Sequence, residues 1–322
     1  MKYNRLLLFE LIASKLHTDS YDKYYKELNT IIDRFTVNAL LAENKSDLVS
    51  LRNFLDEQLQ PIYNDLMHGV IDEAKYISIV ETAMMYSIYR PDKAVDKYMA
   101  NFNKNTELFG YKISDSFKKN KEGLTRLLVA KVSNGMEMGM TAREIKREIK
   151  VSKDRQLDHI SNSVIRSIIG EARTRQSEAV YQTVEDDIIS NGGYYEFVSV
   201  MDNRTSFLCR PLDGARFHKK LAEIPRDKRP KLHMNCRSRL VLRVKAKTRK
   251  RAGKQYQDNG DEFGTQFTDL TYEGWLKIQP KATQNKVLGT KLADMWRNGT
   301  SWGKIHDASK GRRFNIDTLK EI

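Results

Sequence analysis

The chain has 322 residues with 40% apolar and 30% charged residues, enough to bury a core in two or three domains. Its formal charge is +14 and its two cysteines are too few for a disulfide scaffold. The apolar run Leu6–Phe9 stops at Glu10, short of a secretory signal, and no stretch offers the ~18 uncharged apolar residues of a membrane span.

Taken in order, residues 1 to 115 read as an α-helical domain. Tyr24, Leu28, Ile31, Ile32 and Phe35 recur at spacings of three and four, the stripe of a buried helix face. Pro61 is expected to kink or break the third helical stretch, and Pro91-Asp92 to start the next one. No turn-strand-turn pattern interrupts this region. Its tyrosines and methionines read as helix–helix seams and core filler.

A second domain spans 116–250 and opens with more helices. Leu124, Leu127, Leu128 and Val132 form one stripe, which the segment around Gly135 and Gly139 ends. Thr141 then sits at an N-cap with Glu144 in the capping-box position. A single helix is expected from Ser161 to Ile189, stopped by Asn191-Gly192-Gly193. From Tyr194 the period changes to two, giving a strand over 194–200. A second strand is expected over 239–245, with Leu240, Leu242 and Val244 on one face. The simplest arrangement pairs these strands and holds residues 201–238 between them as a folded, turn-rich connection. Residues 251–322 read as linker and short helices. The stretch from 246 to about 264, nearly devoid of apolar residues, is the exposed linker; two or three helices follow, with Gly289 and Gly299 as stops. The fold class is thus α+β, predominantly helical, with a small antiparallel β element carrying a basic module.

Residues 202–250 hold sixteen Lys or Arg against four acids, a net +12 that accounts for nearly all of the chain's excess charge. Such concentration favours a polyanion, most simply nucleic acid held through phosphates. The residues nominated for that contact are Arg210, Arg216, Lys219, Lys220, Arg229, Lys231, Arg237, Arg239, Arg243 and Lys245. The same module contains Cys209 and a His233-x-x-Cys236 pair, ligand types suited to a structural zinc, with His218 or Asp213 as a fourth ligand. Two thiols packed side by side, or a disulfide, are the other readings of these cysteines. Catalysis finds little support: Asp202, Asp213, Glu223 and Asp227 are scattered among basic residues, and no phosphate-cradling glycine pattern occurs.

The run FVSVMDNRTSFLCRPLDGARF, followed by PKLHMNCRSRL, resembles the head morphogenesis domain of tailed bacteriophages, the Mu F-like minor head protein family. The shared pattern falls on Asp202, Arg204, Thr205, Cys209, Leu212, Asp213, Gly214, Phe217, His233, Cys236 and Arg237. The upstream helices, and a downstream segment with Trp275, Leu276, Gln279, Pro280, Gln284, Leu288 and Gly289, are similar to the family too. Where many members have a further cysteine, this chain has Ser206 or Phe207 and Ser238. The resemblance implies a non-enzymatic minor virion protein inside the head near the portal vertex. Its partners would be the portal or major capsid protein and packaged double-stranded DNA, and it would assist head assembly and DNA ejection. It would be made in the host cytoplasm. The alternative from another class is a metal-dependent enzyme acting on nucleic acid, with Asp202 or His233 essential.

Overall fold

The computed structural model describes residues 24–307 except 40, 43, 90–101, 109, 160–163 and 245–250. The chain divides into two compact units. One is drawn from Met1–Val180 with His233–Asn235, the other from Tyr181–Leu232 with Cys236–Ile322. The fold is predominantly helical with small antiparallel sheets, as the sequence predicts. Among the described residues no helix is long and apolar enough to cross a membrane.

The first unit is a helical assembly: α1 (24–39), α2 (Lys45–Tyr89), α3 (Ile113–Glu137), α4 (Ala142–His159) and most of α5 (Arg166–Gln182). The predicted α1 stripe is its inner face, with Leu28, Ile32 and Phe35 at 1% exposure or less. Each such side chain contributes about 1.5–3 kcal/mol through burial. Pro61 does not break α2, which runs through it over 45 residues. The missing N–H is offset by packing, since Leu55, Leu59, Ile62, Tyr63 and Leu66 are all buried in the same core. The helix start at Pro91-Asp92 lies outside the described residues. One expectation fails here: strands β1 (Glu107–Leu108) and β2 (Tyr111–Lys112) form a tiny hairpin that turns at Gly110, whose φ is +80°. Two residues per strand are too few to leave a period in the sequence.

A buried polar network crosses from α2 to α5. Glu81 accepts from Arg173 Nε at 3.1 Å and from Ser177 Oγ at 2.8 Å, and Thr82 Oγ1 donates to Gln176 at 2.9 Å. At the start of α4 the capping box forms as read: the Thr141 N–H donates to Glu144 Oε2 at 2.8 Å, and the Glu144 N–H to Thr141 Oγ1 at 3.4 Å. The Thr141 hydroxyl and N–H hold the Glu144 carboxyl below its usual range. Thr141→Ala should therefore destabilise the chain by about 1 kcal/mol, read as a shift of the urea midpoint with unchanged slope.

The long helix predicted from Ser161 to Ile189 is two elements, α5 and α6 (Glu185–Ser190), separated at Thr183-Val184. The break serves Glu185. Its carboxylate Oε2 accepts from the Tyr195 hydroxyl at 2.6 Å and from the Leu221 N–H at 2.9 Å, so the chain turns to aim this buried acid at the sheet. Gly192, with φ +84°, then ends α6 where the sequence places the stop.

The second unit contains α6 and the rest of the β structure. Strand β3 (Tyr194–Val198) lies between β4 (Arg216–Phe217) and β5 (Arg239–Arg243), all antiparallel. The pairing of the two predicted strands is as expected, in the register Tyr195↔Leu242 and Phe197↔Leu240. Those four side chains face inward; Val244, expected on the same face, is 66% exposed. Of the predicted exposed linker, 246–250 lie outside the described residues, and from 251 on the prediction is wrong. Strands β6 (Arg251–Tyr256) and β7 (Glu262–Thr268) pair as a hairpin closed through Gly260, whose φ is +86°. Helices α7 (Tyr272–Lys277), α8 (Lys281–Leu288), α9 (Thr290–Arg297) and α10 (302–307) follow, with Gly289 and Gly299 at positive φ as the predicted stops. Tyr272, Trp275, Leu276, Leu288 and Trp296 pack with Met201 and Tyr256 into one core.

Candidate nucleic-acid and metal-binding module

Residues 201–238 leave β3 and return to β5 without regular structure longer than a 3-10 turn. Two buried aspartates order them. Asp202 starts the excursion: its Oδ1 accepts the Arg204 N–H at 3.0 Å and the Thr205 hydroxyl at 3.2 Å, closing a local turn. Arg237, at the far end, grips the same carboxylate with two bonds of 2.5 and 2.7 Å. Burial pushes the Asp202 carboxyl up, but Arg237 and Arg204 outweigh it and hold the group below its ordinary value.

Asp213 is a second junction. It accepts the Ser199 N–H at 2.6 Å, the Tyr272 N–H at 2.7 Å and a two-pronged bond from Arg251 at 2.8 and 2.9 Å. This one carboxylate thus ties the end of β3, the first residue of β6 and the start of α7 together. Gly214 beside it has φ +81°, and a Cβ there would come within 3.0 Å of Thr271. Arg210 completes the scaffold, donating to the Thr205 and Val287 carbonyls at 2.7 and 2.9 Å and lying over the Tyr272 ring.

The nominated basic residues therefore divide. Arg210, Lys231, Arg237 and Arg243 serve the fold: Lys231 is buried and donates to the Cys236 carbonyl at 2.7 Å, and Arg243 pairs with Glu196 at 2.6 Å. Arg229 and Arg239 are half-buried, and Lys245 lies outside the described residues. Arg216, Lys219 and Lys220 are exposed, as are Arg204, Arg226 and Lys228 of the same basic module. Arg216 sits over the Tyr194 ring, and Lys220 reaches Asp186 at 2.8 Å. The outward charge of the module is thus concentrated on 216–228 rather than on the closing strand.

The two cysteines meet. Cys209 Sγ and Cys236 Sγ are 3.6 Å apart, both buried, and the ligand atoms of Cys209, His233 and Cys236 all lie within 4.8 Å of one another. Asn235, at φ 57°, makes the turn that sets His233 and Cys236 on one side of the loop. Hydrogen bonding to Cys236 and burial push the Cys209 thiol well up, the opposite of what a nucleophile needs. His218 does not join this group; it is exposed and its ring packs against Tyr194 at 5.2 Å. Asp213 is likewise engaged elsewhere.

Residues 125–241 match the family of phage Mu protein F like proteins. Over that segment the chain resembles the phage Mu F-like family. No curated protein and no solved structure matches the chain. The match agrees with the family that the sequence resemblance names. It begins within α3 and ends within β5, so the matched segment includes both cysteines and residues 201–238 but not Arg243 or Lys245. The downstream segment lies beyond it, and Trp275, Leu276, Gln279, Gln284 and Leu288 there are buried. Gln279 and Gln284 are buried, and the Gln284 amide donates to the carbonyls of Leu276 and Gln279 at 3.3 and 3.0 Å, satisfying the end of α7.

Proposed function

We propose that this protein is a minor structural component of a tailed-phage head, held inside the capsid near the portal vertex. There its exposed basic surface touches packaged double-stranded DNA, and it assists head assembly and DNA ejection. The carrying observation is the coincidence of two features on one segment. The Mu F-like match spans 125–241, and the solvent-facing cations Arg216, Lys219, Lys220, Arg226 and Lys228 lie within it. Long flexible cations suit phosphate contact without sequence preference, which is what packaged genome requires. The helical region N-terminal to the match is assigned to docking on the portal or major capsid protein.

The reading includes no catalytic step. Asp202, the carboxylate an enzyme acting on nucleic acid would enlist, is committed to Arg237 and to its own turn. Quantitative mass spectrometry of purified particles tests the proposal. A few to about a dozen copies per particle are expected, set by the portal ring rather than by the capsid lattice. Absence from particles, or a copy number matching the major capsid protein, would overturn it.

A further inference from the structure

We propose that Cys209, Cys236 and His233 bind one zinc ion, with water in the fourth position, and that the ion closes the base of the basic loop. Three soft or borderline donors converge here, the chemistry zinc selects. Two thiolates each about 2.3 Å from a tetrahedral ion sit about 3.7–3.8 Å apart. The sulfurs stand at 3.6 Å, so the two thiolates need almost no rearrangement, while the imidazole, within 4.8 Å of them, closes on the ion by a shift of up to about 1 Å. A disulfide would instead require closing that gap to about 2.0 Å.

The surroundings fit as well. His233 Nδ1 lies 2.7 Å from the Met234 carbonyl; donating its proton there leaves the lone pair on Nε2, the tautomer a ligand needs. The Asn235 N–H donates to Ser167 Oγ at 2.6 Å, fixing the turn between His233 and Cys236. The Ser199 hydroxyl donates to the Cys209 carbonyl at 3.1 Å, holding the other strand of the loop. On binding, each thiol loses its proton to solvent as its sulfur bonds the metal. The two negative charges formed are neutralised by the dication.

Such a site explains a feature the DNA-binding reading leaves open. The excursion from β3 to β5 holds only the two-residue strand β4 and three single 3-10 turns, yet it presents the exposed cations of 216–228. A metal joining positions 27 residues apart would hold both ends of that display.

The test uses the full chain, purified without chelator under reducing conditions. Elemental analysis should find about one zinc per chain. After removal of the zinc, cobalt(II) should restore binding with thiolate-to-metal charge-transfer absorption. Cys236→Ser should abolish that absorption. His233→Ala, in a half-exposed loop residue, should keep the fold and weaken binding by more than the ~10–100-fold that loss of an outer-shell partner costs. The proposal is overturned by wild-type protein that takes up neither zinc nor cobalt. Metal retained equally in the Cys236→Ser variant, or a Cys209–Cys236 disulfide already present in the freshly reduced and desalted chain, would overturn it too. None of these outcomes depends on particles or on DNA, so the zinc and head assignments stand or fall separately.

Discussion

Asp213→Ala is expected to cost the chain about 3–5 kcal/mol, a large share of the roughly 5–15 kcal/mol that stabilises an ordinary domain. The side chain is fully buried and accepts four hydrogen bonds, from Ser199, Tyr272 and both terminal nitrogens of Arg251. Removing it strands two backbone N–H groups and leaves a guanidinium that is only 12% exposed without its counter-charge. The loss falls on one unit, where β3, β6 and α7 meet. All three tryptophans, Trp275, Trp296 and Trp302, lie in or against the core behind that junction. Urea unfolding followed by tryptophan fluorescence should therefore show the midpoint fall sharply. Asp213→Asn, which keeps the shape and one acceptor oxygen but loses the charge, should fall between wild type and alanine. A tryptophan transition unmoved by alanine would mean that Asp213 does not join these elements.

That junction also shows what the sequence could and could not disclose. Local signals were legible: the Thr141 cap, the stop at Gly192, the alternation of β3 and β5, and the glycines that end α8 and α9 all depend on neighbours within a few residues. The β6–β7 hairpin was not read, although Asp258-Asn259-Gly260-Asp261 is a hairpin turn signal between two alternating runs. Its strands are charged and glycine-rich because one face is open to solvent, with Phe263 and Phe267 exposed. The other face is shaped by a partner distant in sequence. Gly253 lies so close to Trp275 that a Cβ would stand 2.9 Å from the indole, and the indole Nε1 donates to the Lys254 carbonyl at 2.9 Å. An apolar count cannot see a glycine chosen to admit a tryptophan. The same limit applies to charge. Arg237 lies 35 residues from Asp202, and nothing in the one-dimensional pattern says which of sixteen cations is spent inside the fold.

Arg237→Glu is accordingly expected to unfold the module rather than to report on DNA. It places a second carboxylate against Asp202, whose side chain is 2% exposed, and removes the two bonds that close the excursion from β3 to β5. Loss of one partner of a buried pair costs about 3–5 kcal/mol, and like-charge repulsion adds to it. Wild-type stability carries the matching pH signature. The Asp202 carboxyl titrates below its unfolded value, so its contribution is complete above the ordinary carboxylate range. It is lost as pH falls below about 4 through the folded value. Arg237→Ala should flatten that part of the profile. A triple change of Arg216, Lys219 and Lys220 to glutamine should behave in the opposite way. All three are exposed, so the urea midpoint should move little, while the dependence of DNA affinity on salt should lose up to about 0.9 in log–log slope for each phosphate contact removed. Comparing the two variants separates folding from binding. If the triple variant keeps the wild-type salt slope, the 216–228 surface is not the DNA contact. If Arg237→Glu keeps the wild-type urea midpoint and loses only DNA, then Arg237 faces phosphate and the Asp202 pairing is not what closes the module.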